Sequence, residues 1–85
     1  MTAFYKCEIK GSVPNTVFEC YADAYYNPIF NKFKSDADME VENKAYEYFD
    51  GNLVYTYGEI ESISIIDIKP EEYYGMMKIK STVFL

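Results

Sequence analysis

The sequence predicts an α+β fold: an antiparallel β-sheet of about five strands, with one or two helices (after the first strand) packed on one face. Three observations lead there. Residues 4–10 alternate apolar and charged side chains. A Thr-x-x-Glu cap opens an apolar stripe at helical spacing. The second half of the chain is cut by turn signals, Asp50-Gly51 foremost, into runs with the period of a strand.

In the first run Tyr5, Cys7 and Ile9 fall on one face and Lys6, Glu8 and Lys10 on the other, as in a half-buried strand. Gly11 to Asn15 is a turn. From Thr16 onward Val17, Phe18, Cys20, Tyr21, Ala24 and Tyr25 share one helical stripe, with Glu19, Asp23 and Tyr26 opposite, so a helix is expected. Asn27-Pro28 ends it, because a residue before proline avoids helical geometry. Asn27 then caps a second short helix that carries Ile29, Phe30 and Phe33.

Asp36 to Glu42 alternates without exception, Ala37, Met39 and Val41 against four acids, which is the strand period. A helix through Ala37, Val41, Ala45 and Tyr48, with a Glu40–Lys44 pair, is the competing reading. The strand is preferred because Asp50-Gly51 follows, a strong hairpin signal, with Leu53 to Tyr57 as the return strand. Gly58 marks a turn or bulge, and Ile60 to Ile68 a further strand bulged near Ile65-Ile66. Lys69 to Glu72 turns the chain into a last strand in which Met77, Ile79, Val83 and Leu85 alternate with Lys78, Lys80 and Thr82.

A chain of 85 residues is expected to form one domain, 1–85. Its hydrophobic fraction of 49%, with ten Tyr and six Phe, belongs to a folded chain rather than a disordered one. Net charge is −6, and arginine is absent. Such a chain grips phosphates poorly, so direct nucleic-acid binding is not expected, whereas basic partners are. His, Trp and Gln are also missing, and Lys, Asn, Ile and Tyr are abundant. That is the composition of an AT-rich gene of the kind common in phages and mobile elements.

No apolar run reaches the ~18 residues that span a bilayer, and charges interrupt the N-terminal segment. The expected setting is cytoplasmic and reducing (the host cytoplasm for a viral protein), with no membrane partner. Cys7 and Cys20 are accordingly expected as free, partly buried thiols. Without histidine, and without a nucleophile–base pair, phosphate loop or dinucleotide motif, no enzymatic activity and no cofactor are expected. An EF-hand loop beginning at Asp36 would place Asp38, Glu40 and Glu47 correctly but puts Val41 where the turn requires glycine, so no metal site is expected.

The candidate partner-binding residues are Asp36, Asp38, Glu40 and Glu42, which on a strand would form a row about 20 Å long. Tyr46 and Tyr48 continue its parity, and Glu47, Asp50, Glu59 and Glu61 stand on neighbouring strands. A plain solvated sheet face explains the same alternation. The functional reading is a small acidic protein-binding module. It would block a basic surface, such as that of a nucleic-acid-binding enzyme, by charge mimicry, in the manner of a phage inhibitor. The alternatives are a protein that sequesters a small ligand or nucleotide in a Tyr-lined pocket, and a self-assembling structural subunit, with a homodimer among the expected states.

Overall fold

A computed structural model of the chain describes residues 1–79. Three antiparallel strands, β1 (Thr2–Gly11), β2 (Val17–Tyr25) and β3 (Ile60–Ile68), form a sheet in the order β2-β1-β3. Between β2 and β3 run a 3-10 turn (Pro28–Phe30), a long helix α1 (Lys34–Asn52) and a short helix α2 (Val54–Tyr57). Helix α3 (Pro70–Ile79) follows β3. The α+β class and antiparallel pairing stand; among the described residues the sheet has three strands rather than about five.

β1 forms as its alternation requires. Ala3, Tyr5, Cys7 and Ile9 are buried, while Lys6 and Glu8 are half-buried on the opposite face. Its central position explains the quality of its signal, since both edges are paired and one face is sealed by α1.

Residues 17–25 are a strand, not the expected helix. Their register sets Ala24, Ala22, Cys20 and Phe18 against Ala3, Tyr5, Cys7 and Ile9. Small side chains thus carry the buried face of β2, and Ala22, Ala24 and Cys20 are all buried. The other face holds Val17, Glu19, Tyr21 and Asp23, a mixed set that suggested helix because Glu19 and Asp23 seemed misplaced beside apolar neighbours. Across that face Lys6 reaches both Glu8 (3.3 Å) and Glu19 (3.5 Å), so the charges are accommodated.

Residues 34–52 are one helix, which overturns the expected strand over 36–42 and the Asp50-Gly51 hairpin. Ala37, Val41, Ala45 and Phe49, spaced by four, are all buried against the sheet. The alternation over 36–42 is real, but only the apolar residues that share the helical stripe point inward: Ala37 and Val41 do, and Met39 is exposed. Burying the four-spaced stripe seals the sheet face, whereas a strand there would leave that face uncovered. The pair at Glu40 and Lys44 forms, at 3.1 Å.

With no partner strand, Leu53 to Tyr57 closes into α2 instead of returning. Gly58 follows with φ of 80°, a left-handed conformation that favours glycine, and the expected turn is there. β3 has the expected bounds. Its register irregularity lies opposite Lys10/Gly11, where Lys10 pairs with Ser62 and Gly11 with Ile60, and not at Ile65-Ile66. Pro70 opens α3, with Glu71 and Glu72 in its first turn where the helix dipole favours acids. Met77 and Ile79 therefore end a helix rather than begin a strand, while Val83 and Leu85 lie outside the described residues. α3 also departs from the one-face layout. Tyr73 packs on Phe4 (ring centroids 4.9 Å), and Phe4 points away from α1.

Gly51 discriminates between helix and hairpin. Nothing lies within 4 Å of a Cβ added there. Gly51→Ala should raise stability by about 0.5–1 kcal/mol in denaturant melts, since alanine is the better helix former. A loss of similar size or more would indicate the turn.

Candidate functional site

The outward face of α1 gathers most of the acids singled out from the sequence, in an arrangement different from a row. Residues two apart on a helix stand roughly 200° apart, so Asp36, Asp38, Glu40 and Glu42 are dispersed around the cylinder. Asp36, Glu40, Glu47 and Asp50 instead fall within about a quarter of the circumference, interleaved with Met39 and Asn43 and bordered by Tyr46. The rise of an α-helix makes this stripe about 21 Å long from Asp36 to Asp50. A shallow concavity of about 440 Å³ runs along it, lined by Asp36, Met39, Glu40, Asn43, Lys44 and Glu47.

These acids do not have equal freedom. Asp36 accepts a hydrogen bond from the Phe33 backbone N–H at 2.7 Å and so caps the helix start. Glu40 is paired with Lys32 (2.9 Å) and Lys44 (3.1 Å), which together hold its carboxyl below the usual range. Glu42, Glu47 and Asp50 are exposed and have no ion-pair partner among the described residues. Tyr46 is exposed beside them, but Tyr48 turns inward and stacks on Phe18 (centroids 6.2 Å, planes 16° apart). Glu59 and Glu61 stand apart: Glu61 reaches Lys10 at 3.8 Å on the sheet face away from α1, and Glu59 begins the approach to β3. The structure therefore brings Asp36, Glu40, Glu47, Asp50 and Tyr46 together and removes Asp38, Glu42, Tyr48, Glu59 and Glu61 from that surface.

Asp38 has a structural task. It accepts the buried Tyr5 hydroxyl at 2.6 Å and the Lys34 ammonium at 2.6 Å, and Lys34 also reaches Asp67 of β3 at 2.9 Å. Lys34 Nζ stands 5.0 Å from the Tyr5 ring centroid. Burial pushes the Tyr5 hydroxyl well above its ordinary range, and the Asp38 hydrogen bond adds to the shift. For Asp38 burial acts upward, but hydrogen bonds from Lys34 and Tyr5 outweigh it and the net shift is downward. The cluster ties the first turns of α1 to β1 and β3.

Sequence reasoning placed Ile29, Phe30 and Phe33 on a short helix without identifying them as surface residues. The 3-10 turn forms, with Asn27 Oδ1 accepting from Ile29 N–H at 3.1 Å and Pro28 in the first position. The loop is closed by reciprocal backbone bonds between Asn27 and Lys32 (2.8 and 3.2 Å), with Asn31 left-handed at φ 57°. It holds Ile29 at 85% and Phe30 at 78% exposure. The available signal was three large apolar residues in five positions (29–33) with no matching polar face. Lys32, at the base of this loop, is the cation that pairs with Glu40, so the apolar projection adjoins the acidic stripe.

Comparison with known proteins gives no match to a family model, a curated protein or a solved structure. Among the described residues no helix is long and apolar enough to cross a membrane.

Two outcomes test the Asp38 assignment. Asp38→Ala strands the buried Tyr5 hydroxyl and should cost about 1–3 kcal/mol, whereas Tyr5→Phe removes the donor itself and should cost less, both read from denaturant melts. Because the Asp38 carboxyl is lowered in the fold, its contribution is present above the unfolded value near pH 4 and disappears as pH falls through the lowered one. Asp38→Asn should therefore flatten the acid limb of the stability–pH curve, and an unchanged limb would contradict the assignment.

Proposed function

We infer that the protein is a non-enzymatic binding module that engages a basic protein surface through the outward face of α1. The observation that carries this reading is the joining of two exposed acids, Glu47 and Asp50, which have no ion-pair partner among the described residues, to exposed Met39 and Tyr46 on one helix. Lys6, Lys10, Lys32, Lys34 and Lys44 are meanwhile taken up in intramolecular ion pairs. Acids around apolar and aromatic anchors combine fast, steered encounter with a desolvated contact. Ile29 and Phe30, presented by a closed loop that loses little freedom on binding, supply a further apolar anchor next to the charged stripe.

The target class is the basic groove of a nucleic-acid-binding protein, which an acidic ridge about 21 Å long would occupy in competition with the phosphate backbone. An inhibitor of this kind agrees with the small-gene composition of the chain. A Tyr-lined ligand pocket has less support, since the concavity along α1 has no tyrosine in its lining and one of about 180 Å³ beside β1 has a single tyrosine, Tyr26.

The test uses Glu47→Lys with Asp50→Lys, which leaves the cap at Asp36 and the Asp38 cluster intact. Tagged wild-type protein should retain a basic, nucleic-acid-binding protein from host lysate at low salt and release it at high salt. The double variant should bind that protein roughly tenfold or more weakly with an unchanged melting curve. Retention that is indifferent to salt and to both charge reversals would rule out the acidic face as the contact.

A further inference from the structure

Cys7 and Cys20 have no part in the acidic surface, and their placement suggests chemistry of its own. They are direct partners in the β1–β2 ladder, side by side on the face that α1 covers. Met1 and Tyr26 exchange reciprocal backbone hydrogen bonds, 2.8 and 3.0 Å, which sets the phase of that ladder. Counting alternate pairs inward from them makes Cys7–Cys20 a hydrogen-bonded pair, with Cα atoms about 5.5 Å apart. A disulfide spans about 4.4–6.8 Å between Cα atoms, which includes this separation, and drawing the Cβ atoms from the roughly 5 Å of opposed residues to the about 4 Å of a disulfide takes a local shift of about 1 Å.

The surroundings agree. Both residues are fully buried and both thiols are free. The contact between the two thiols draws Cys7 below its ordinary range, and the same contact, with burial, pushes Cys20 up. Whichever thiol is first deprotonated is the nucleophile, and its neighbour is the resolving thiol. They share a buried apolar cluster with Tyr5, Ala22, Ala37 and Val41. Among the described residues β2 pairs with β1 alone, so peroxide reaches the sulfurs through local opening of this sheet edge and of the α1 cover above it.

We propose that Cys7 and Cys20 are a reversible redox pair, in which oxidation by a peroxide staples the edge strand β2 to the central strand β1. One thiolate of the pair attacks a peroxide oxygen and becomes a sulfenic acid as the O–O bond breaks and one water leaves. The other sulfur then attacks that sulfur, the S–O bond breaks, the S–S bond forms and a second water leaves. In sum two thiols and one hydrogen peroxide give one disulfide and two waters, and a dithiol reductant reverses the change.

Hydrogen peroxide added to the reduced, folded protein is the probe, read by intact mass, thiol count after denaturation, and melting temperature. The expected result is a monomer lighter by about 2 Da with no free thiol, restored by dithiothreitol. Closing a loop of about 14 residues should raise its melting temperature by roughly 10 °C. Cys7→Ala and Cys20→Ala should each abolish the 2 Da loss, but the wild-type readout stands even if a variant does not fold. Thiols that survive peroxide sufficient to oxidise a small dithiol, oxygen adducts without cross-linking, disulfides between chains, or a cross-linked monomer that melts lower would each overturn the proposal.

Discussion

The fold depends on one seam, where α1 lies across the sheet. The helix presents Ala37, Val41, Ala45 and Phe49, and the sheet answers with Ala3, Tyr5, Cys7 and Ile9 from β1 and Cys20, Ala22 and Ala24 from β2. Small side chains on both sides let the backbones approach closely, and Tyr5 and Phe49 fill the space that remains. Tyr5 is fully buried and carries a hydroxyl, which must find an acceptor. Asp38 provides it, one residue along from Ala37, and this contact fixes where α1 sits along its own axis.

The seam also decides which charges face outward. Once Ala37 and Val41 turn inward, Asp38 goes to the edge of the sheet, Asp36 to the helix start and Glu40 between two lysines. The acids left for a partner lie further along the helix. The proposed surface is therefore a consequence of packing, and substitutions at Asp38 disturb the fold before they inform about binding. The same seam buries the two thiols, so their oxidation state belongs to the sheet rather than to the surface.

Legibility followed how many constraints acted on each segment. β1 and β3 were readable because alternation and β-branched residues agree with pairing. β2 was missed because its buried face is made of Cys20, Ala22 and Ala24, too small to register as a hydrophobic strand, while the Thr16-x-x-Glu19 spacing suggested a cap. α1 was missed because Asp36 to Glu42 satisfies both periods over a short window, and Asp50-Gly51 was given the weight of a turn. The period of four through Phe49, continued by the observed Glu40–Lys44 pair, was the deciding pattern and needed a longer window to show. For the candidate site, Asp36, Glu40, Glu47, Asp50 and Tyr46 were named from sequence for a strand geometry. The apolar projection at Ile29 and Phe30 went unnoticed because exposure depends on tertiary placement, which local pattern does not carry.

The central claim is that residues 34–52 form one helix on this sheet, and backbone NMR tests it directly. Cα secondary shifts should be uniformly helical from Lys34 to Gly51, with a cross-peak between the Tyr5 ring and the α1 turn holding Ala37 and Asp38. Strand-type shifts over Asp36–Glu42, with cross-strand contacts across Asp50-Gly51, would contradict both the fold and the surface built on it.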